Sequence, residues 1–141
     1  MRLFSLLFCL IAACGNAPQK TFDVPSEFMS YYQSFSEAGS VTTDNLIIQF
    51  GPLDYPRVGQ CWTGPTTPII TIEPNYWGTV SELQKKEIIW HELGHCVLGR
   101  AHRTDFLSDG WPASIMYPTQ FDPNYIFNQN YEYYRKELFG E

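Results

Sequence analysis

Apolar residues at helical spacing define the first predicted element of the chain. From Ser26 onward, large apolar residues recur every three or four positions, and the pattern stops at Gly39. Residues three and four apart share one face of a helix, so this spacing predicts an amphipathic helix. A similar pattern, rich in tyrosine, covers residues 128–139 and predicts a C-terminal helix that ends at Gly140.

Three short runs between these helices predict β-strands. Leu46–Phe50 is a branched, apolar run, and residues 58–63 form a second run that Gly59 and Gly64 bound. Residues 69–73 lie between Pro68 and Pro74. These prolines mark the ends of a strand because proline cannot donate to the hydrogen-bond ladder.

The longest predicted helix lies between a capping box and a glycine. Thr79 and Ser81 offer two registers for the cap, since each is followed three residues later by Glu or Gln. The helix can run to Leu98 and break at Gly99. It is apolar on both flanks, which is typical of a helix inside a domain. Residues 102–122 have turn residues and no clear period, and the order of elements predicts an α+β fold.

All three histidines of the chain lie in this helix or just after it. His91 and His95 are one turn apart on one face, so both rings can reach one ion at about 2.0 Å. Glu92 is rotated about 100 degrees from His91, and its carboxylate can deprotonate a water beside the ion. Gly99 can adopt the left-handed conformation that brings His102 back to the same ion. Three protein ligands and an open position are the requirements of a catalytic zinc site.

The histidine pattern is followed by the string SIMYP at residues 114–118. Together the two motifs resemble the metzincins, zinc endopeptidases in which a methionine-containing turn, the Met-turn, lies under the metal. The string is most similar to the matrixin and astacin forms, and the resemblance covers about residues 44–118. It implies a metzincin-like fold within the α+β class. Such a fold has a small twisted mixed sheet, a buried active-site helix, the Met-turn and a C-terminal helix.

The resemblance implies a role for each residue of the motif. One Zn²⁺ would be bound by His91, His95 and His102, with Glu92 as the general base and Met116 in the Met-turn. The expected activity is hydrolysis of peptide bonds in a peptide or protein substrate by a zinc-bound water.

The resemblance also implies how a substrate binds. Residues 58–63 would form the antiparallel edge strand above the cleft, and a peptide would pair with it as an additional strand. Tyr117 and Pro118 would line the pocket for the residue after the scissile bond.

The motif departs from the usual form by one additional residue between His95 and Gly99. An added helical residue moves the helix exit by about 1.5 Å and rotates it by about 100 degrees. Two alternatives follow. Either the glycine turn absorbs this change and His102 stays the third ligand, or Asp105 replaces it, since aspartate also binds zinc.

Residues 1–13 resemble the signal peptide of a bacterial lipoprotein, with an apolar run that ends in small residues before Cys14. The resemblance implies that Cys14 is lipidated and that the protein is exported and anchored to a bacterial outer membrane, facing the periplasm or the cell surface. The alternative is a secretory signal cut after Ala13. Residues 14–24 are predicted to be a tether, and residues 25–141 a single metalloprotease domain.

Charge, cysteines and loop carboxylates give further expectations about partners, a disulfide and a second metal. The net charge of −6 argues against a nucleic-acid surface, which would carry clustered Lys and Arg. In an oxidising compartment Cys61 and Cys96 are candidates for a disulfide, with two buried thiols as the alternative. Asp105 and Asp109 could bind calcium, although loop carboxylates are commonly just solvated. We expect a monomer that contacts the membrane only through its lipid.

Two other functions fit the sequence less well. The first is a zinc-holding lipoprotein that serves as a binding module and no longer cleaves anything. The presence of Glu92 and the lack of an evident fourth strong ligand favour the enzyme. The second is an adhesion module that uses the tyrosine-rich residues 125–134, whose spacing a core-packed helix explains equally well.

Overall fold

The computed structural model describes residues 19–120 and 126–141. The predicted signal peptide and Cys14 lie outside the described residues. In chain order, the elements are β1 (Phe22–Asp23), α1 (Ser26–Gly39), β2 (Leu46–Phe50), β3 (Gly59–Trp62), β4 (Ile69–Ile72), α2 (Pro74–Trp77), α3 (Glu82–Cys96), α4 (Ile126–Gln129) and α5 (Tyr131–Phe139). The predicted α+β class is confirmed. Within this part of the chain, no helix has both the length and the apolar character that spanning a bilayer requires.

The strands form one small mixed sheet in the order β1-β2-β4-β3. β2 is parallel to both β1 and β4, whereas β3 is antiparallel to β4 and lies at the edge. The expected antiparallel edge strand is therefore present. β1 lies inside the segment predicted to be a tether, and Val24 after it is only 7% exposed. The folded part thus begins before residue 25. The sequence did not predict β1, because a strand of two residues is too short to show a periodic pattern.

The core lies between the sheet and the helices α1, α3 and α5. α1 buries Phe28, Tyr32 and Phe35, the face that its spacing predicts. Trp90 of α3 is fully buried and packs edge-to-face against Phe35, with 5.8 Å between the ring centroids. Its indole N–H donates to the Ser34 hydroxyl at 3.2 Å, so the buried ring keeps a hydrogen-bond partner.

α3 begins at the second of the two predicted capping registers. The Ser81 hydroxyl accepts from the backbone N–H of Gln84, and the Gln84 side chain accepts from the Ser81 N–H at 3.0 Å. The helix ends at Cys96, two residues before the predicted end at Leu98.

The C-terminal region also differs in detail from the prediction. It contains α4 and α5, separated at Asn130, where the sequence pattern predicts one helix. Tyr134 is fully buried, and its hydroxyl donates to the Pro112 carbonyl at 2.8 Å. Its place in the core agrees with a packed terminal helix.

The short α2 was not predicted, because four residues are too few to show a period. The Glu73 side chain caps this helix by accepting from the Tyr76 N–H at 2.7 Å.

Cys61 and Cys96 form a disulfide. The predicted bridge is confirmed, and the alternative of two buried thiols is wrong. The bridge connects the edge strand β3 to the last residue of α3, the helix that carries two of the histidines.

Replacing both cysteines by serine should destabilise the protein. The bridged residues are 35 positions apart in sequence. Loop-closure entropy for a loop of this length predicts a loss of about 4 kcal/mol in the free energy of unfolding. Urea denaturation followed by tryptophan fluorescence measures this loss, and reduced wild-type protein should show the same value. A double variant as stable as oxidised wild type would contradict the prediction.

Candidate metal centre

The three histidine rings converge on one point. The Nε2 atom of His91 lies 3.1 Å from that of His95 and 3.2 Å from that of His102. In a tetrahedral zinc site with Zn–N bonds of about 2.05 Å, neighbouring nitrogens are about 3.3 Å apart. The His91 nitrogen therefore lies at ligand spacing from the other two, and the ligand atoms of all three rings lie within 4.8 Å of one another.

Two backbone carbonyls determine which nitrogen of each helical ring is protonated. The Nδ1 atom of His91 lies 2.8 Å from the Ile115 carbonyl oxygen, and that of His95 lies 2.6 Å from the Arg100 carbonyl oxygen. A carbonyl oxygen only accepts, so each Nδ1 carries a proton and Nε2 is the nitrogen of each ring that can bind a metal ion. Burial lowers the pKa of His91 to about 4, which keeps this ring neutral at pH 7. The Nε2 atoms of the two rings, 3.1 Å apart, are then the nitrogens that face the common point.

The backbone at the end of α3 accommodates the additional residue of the motif. The N–H of Leu98 bonds to the carbonyl of Leu93, five residues back, and the N–H of Arg100 bonds to the carbonyl of Gly94, six residues back. Both bonds span more residues than the bonds of a regular helix, which join each N–H to the carbonyl four residues back. Gly99 then adopts φ +64, the left-handed conformation expected of it. The widened turn and the glycine together return the chain toward α3.

His102 joins the cluster, and Asp105 does not. Among the described residues, the group able to hold a metal ion consists of His91, His95 and His102. The Asp105 carboxylate instead forms two hydrogen bonds of 2.7 Å with the Arg103 guanidinium. Asp109, the other calcium candidate, accepts the Trp111 N–H at 3.3 Å.

Met116, the residue of the predicted Met-turn, packs against α3 beside the histidine cluster. Its side chain is fully buried against α3 at Gly94, the residue before His95. A Cβ atom at Gly94 would lie 2.5 Å from the Met116 sulfur. The turn and the helix can approach this closely because residue 94 has no side chain.

Glu92 points from α3 toward the edge strand. It is 6% exposed, and a Cβ atom at Gly59 would lie 2.7 Å from its Oε1. Burial raises the pKa of Glu92 to about 7, and a hydrogen bond from the Cys61 N–H opposes part of this rise. The missing side chain at Gly59 leaves the space that the carboxylate occupies.

An open cleft of about 850 Å³ connects these groups. The three histidines and Glu92 line it, together with residues of β3 and with Tyr117 and Pro118. The sequence gives no signal for Tyr76 and Gln120, which also line the cleft. Their side chains form a hydrogen bond across 44 positions of sequence, a contact that only the fold creates.

Comparison of the chain with protein-family models, curated proteins and solved structures finds no match. The resemblance to the metzincins therefore depends on the residues of the two motifs, and it stays a prediction.

Replacing Gly99 by alanine should strain the return turn. A side chain in the left-handed region costs about 1–2 kcal/mol, because Cβ approaches the following carbonyl oxygen. The free energy of unfolding should fall by this amount in chemical denaturation. Gly99→Asn should lose less, since asparagine tolerates this conformation better. Equal stability of wild type and Gly99→Ala would contradict the prediction.

Proposed function

We propose that this protein is a zinc-dependent endopeptidase. The observation that carries the proposal is a cleft lined by three clustered imidazoles and by the buried carboxylate of Glu92. Metal-assisted peptide hydrolysis requires a site for the metal and a base near it. The histidines would supply the first and Glu92 the second.

The donor set fits a catalytic zinc ion. Within the described parts of the chain, no fourth residue joins the three histidines in the metal-binding group. A tetrahedral ion held by three nitrogens keeps one position open, which distinguishes a catalytic site from a structural one. When bound, zinc polarises the substrate carbonyl and lowers the pKa of the attacking water toward 7.

Glu92 would act as the general base. Its carboxylate lines the same cleft as the histidine nitrogens, between α3 and the edge strand. From there it would take a proton from the attacking water and later give that proton to the leaving amine. Hydrolysis then adds water across the peptide bond and leaves Glu92 in its starting state.

The edge strand β3 would bind the substrate backbone. The Glu73 N–H donates to the Val58 carbonyl at 3.0 Å. In an antiparallel ladder the hydrogen-bonded pairs alternate, so Gln60 pairs with Thr71 and the polar backbone groups of Gly59 point away from β4. A peptide in the cleft would pair with this outer edge and run past the metal centre. Tyr117 and Pro118 would contact the residue after the scissile bond.

We also propose that the protein is exported and attached through a lipid on Cys14 to a bacterial outer membrane, facing the periplasm or the cell surface. The disulfide between Cys61 and Cys96 supports this location, since such bridges persist in oxidising compartments. The catalytic domain would act as a monomer.

Metal analysis together with a cleavage assay tests the proposed function. The purified domain should contain one zinc ion per chain and should cleave an unfolded protein. A zinc chelator should abolish cleavage, and added zinc should restore it. A protein that binds zinc but cleaves no unfolded substrate would instead support the alternative of a catalytically inactive binding lipoprotein.

Replacing Glu92 by glutamine should abolish cleavage and leave zinc bound. Removal of a general base lowers turnover by about 10²- to 10⁴-fold. Hydrolysis of a fluorogenic peptide and metal content are the measurements. Glu82→Gln is the matched control, because Glu82 lies on the surface of the same helix with its side chain 75% exposed. A fully active Glu92→Gln protein would refute the assignment of the base.

Replacing Gly59 by alanine should reduce turnover without loss of zinc. The added Cβ would lie 2.7 Å from Oε1 of Glu92 and would push the carboxylate from its place. Steady-state kinetics should show a lower kcat, and metal content should equal that of wild type. Gly78→Ala serves as the control, because a Cβ atom there would meet no atom closer than 3.7 Å. Unchanged kcat in Gly59→Ala would show that the position of the carboxylate does not depend on this glycine.

A further inference from the structure

A buried carboxylate on α5 lies behind the metal centre. The Glu137 side chain is 8% exposed. Its Oε1 accepts from Arg100 at 2.6 Å and from Arg103 at 3.1 Å, and its Oε2 accepts the Ser114 hydroxyl at 2.6 Å. Hydrogen bonds to a charged group are shorter and stronger than neutral ones. Glu137 therefore joins two separate stretches of chain, the return turn after α3 and the turn that contains Met116.

The first connection leads to His95. Besides Glu137 Oε1, the Arg100 guanidinium binds the backbone carbonyls of Glu137 and Leu138, each at 2.9 Å. The side chain of Arg100 is thus fixed to the last turn of α5. Its own carbonyl oxygen accepts the Nδ1–H of His95 at 2.6 Å. The orientation of the His95 ring therefore depends on a residue that α5 holds in place.

The second connection leads to His91. The Ser114 hydroxyl donates to Glu137 and accepts the Met116 N–H at 3.0 Å. These two bonds fix both ends of the turn around Ile115. The Ile115 carbonyl accepts the Nδ1–H of His91 at 2.8 Å.

The third connection leads to His102. Arg103 follows it directly, and the guanidinium of Arg103 binds Glu137 Oε1. The backbone N–H of Arg103 donates to the Met116 carbonyl at 3.0 Å. The loop that carries His102 is thereby attached both to the Met-turn and to α5.

We infer that Glu137 is a positioning residue for the metal centre. It is not one of the three clustered residues, but each of the three histidines is supported by a residue that Glu137 holds. The inference rests on the metal centre of the proposed function. Two other carboxylates of this region do not have such a role, since Glu132 and Glu141 pair with Arg135 at the surface.

Zinc affinity of a Glu137→Gln variant is the first test. The substitution preserves size but removes the charge that holds two guanidinium groups and a hydroxyl. Loss of a residue that orients metal ligands weakens metal binding by about 10- to 100-fold, which competition with a chelator of known affinity measures. Glu132→Gln is the matched control on the same helix, with its side chain 70% exposed, and should bind zinc as wild type does. Wild-type affinity in Glu137→Gln would overturn the inference.

The metal-free protein provides a second test that does not depend on zinc. NMR should detect the ring Nδ1–H protons of His91 and His95, protected from exchange by their carbonyl partners. In Glu137→Gln both should exchange faster, while the backbone N–H of Trp90 in α3 keeps its protection. Unchanged exchange of the ring protons would overturn the inference. If the wild-type protein bound no zinc, the proposed function would fail, and this measurement would still decide the role of Glu137.

A Ser114→Ala variant separates positioning from general stability, and it also serves if Glu137→Gln does not fold. It removes only the second connection. The ring proton of His91 should therefore exchange faster, while that of His95, held through Arg100, keeps its protection. Equal loss of protection at both rings, or at neither, would contradict the three separate connections.

Discussion

The candidate site depends on the donation of two ring N–H groups to backbone carbonyls. The bonds from His91 to Ile115 and from His95 to Arg100 leave the lone pairs of both rings on Nε2, aimed at the same point. The folded chain therefore holds the metal-binding nitrogens of both rings close together, at 3.1 Å. The accepting carbonyls belong to loops outside the helix. The site therefore requires the loops as much as the helix that carries its histidines.

α3 is the element to which the other parts of the site attach. The turn at Met116 packs against it at Gly94, and the edge strand approaches it at Gly59. The disulfide between Cys61 and Cys96 fixes that strand to the end of the helix. Two glycines and one covalent bridge thus set the distances from α3 to the Met116 turn and to β3, because a side chain at either glycine would meet Met116 or Glu92.

The C-terminal helix has a more specific role than covering the core. Tyr134 and Leu138 are buried, which accounts for the packing of α5. The carboxylate of Glu137, on the same helix, connects to the loops around all three histidines. The tyrosine-rich pattern that marks this helix in the sequence is therefore explained by the core, while the functional contribution comes from a charged residue within it.

Local patterns determined much of this protein. Helical spacing predicted α1 with its bounds, and short apolar runs with proline boundaries located three strands. The i, i+4 spacing placed His91 and His95 on one face. Those features depend on residues that are near in sequence, and so do the cap at Ser81 and the left-handed turn at Gly99. Cysteine count and the inferred compartment were enough to suggest the bridge.

Only the tertiary structure decided the features that join distant residues. It added β1 to the sheet, selected His102 over Asp105, and placed Glu137 behind the loops that orient the rings. None of these has a local signal, because a two-residue parallel pairing, a widened helix end and a contact between Ser114 and Glu137 each depend on how separate segments pack. The sequence by itself specified the chemical groups of the site, and packing decided where they point, since orientation comes from neighbours far along the chain.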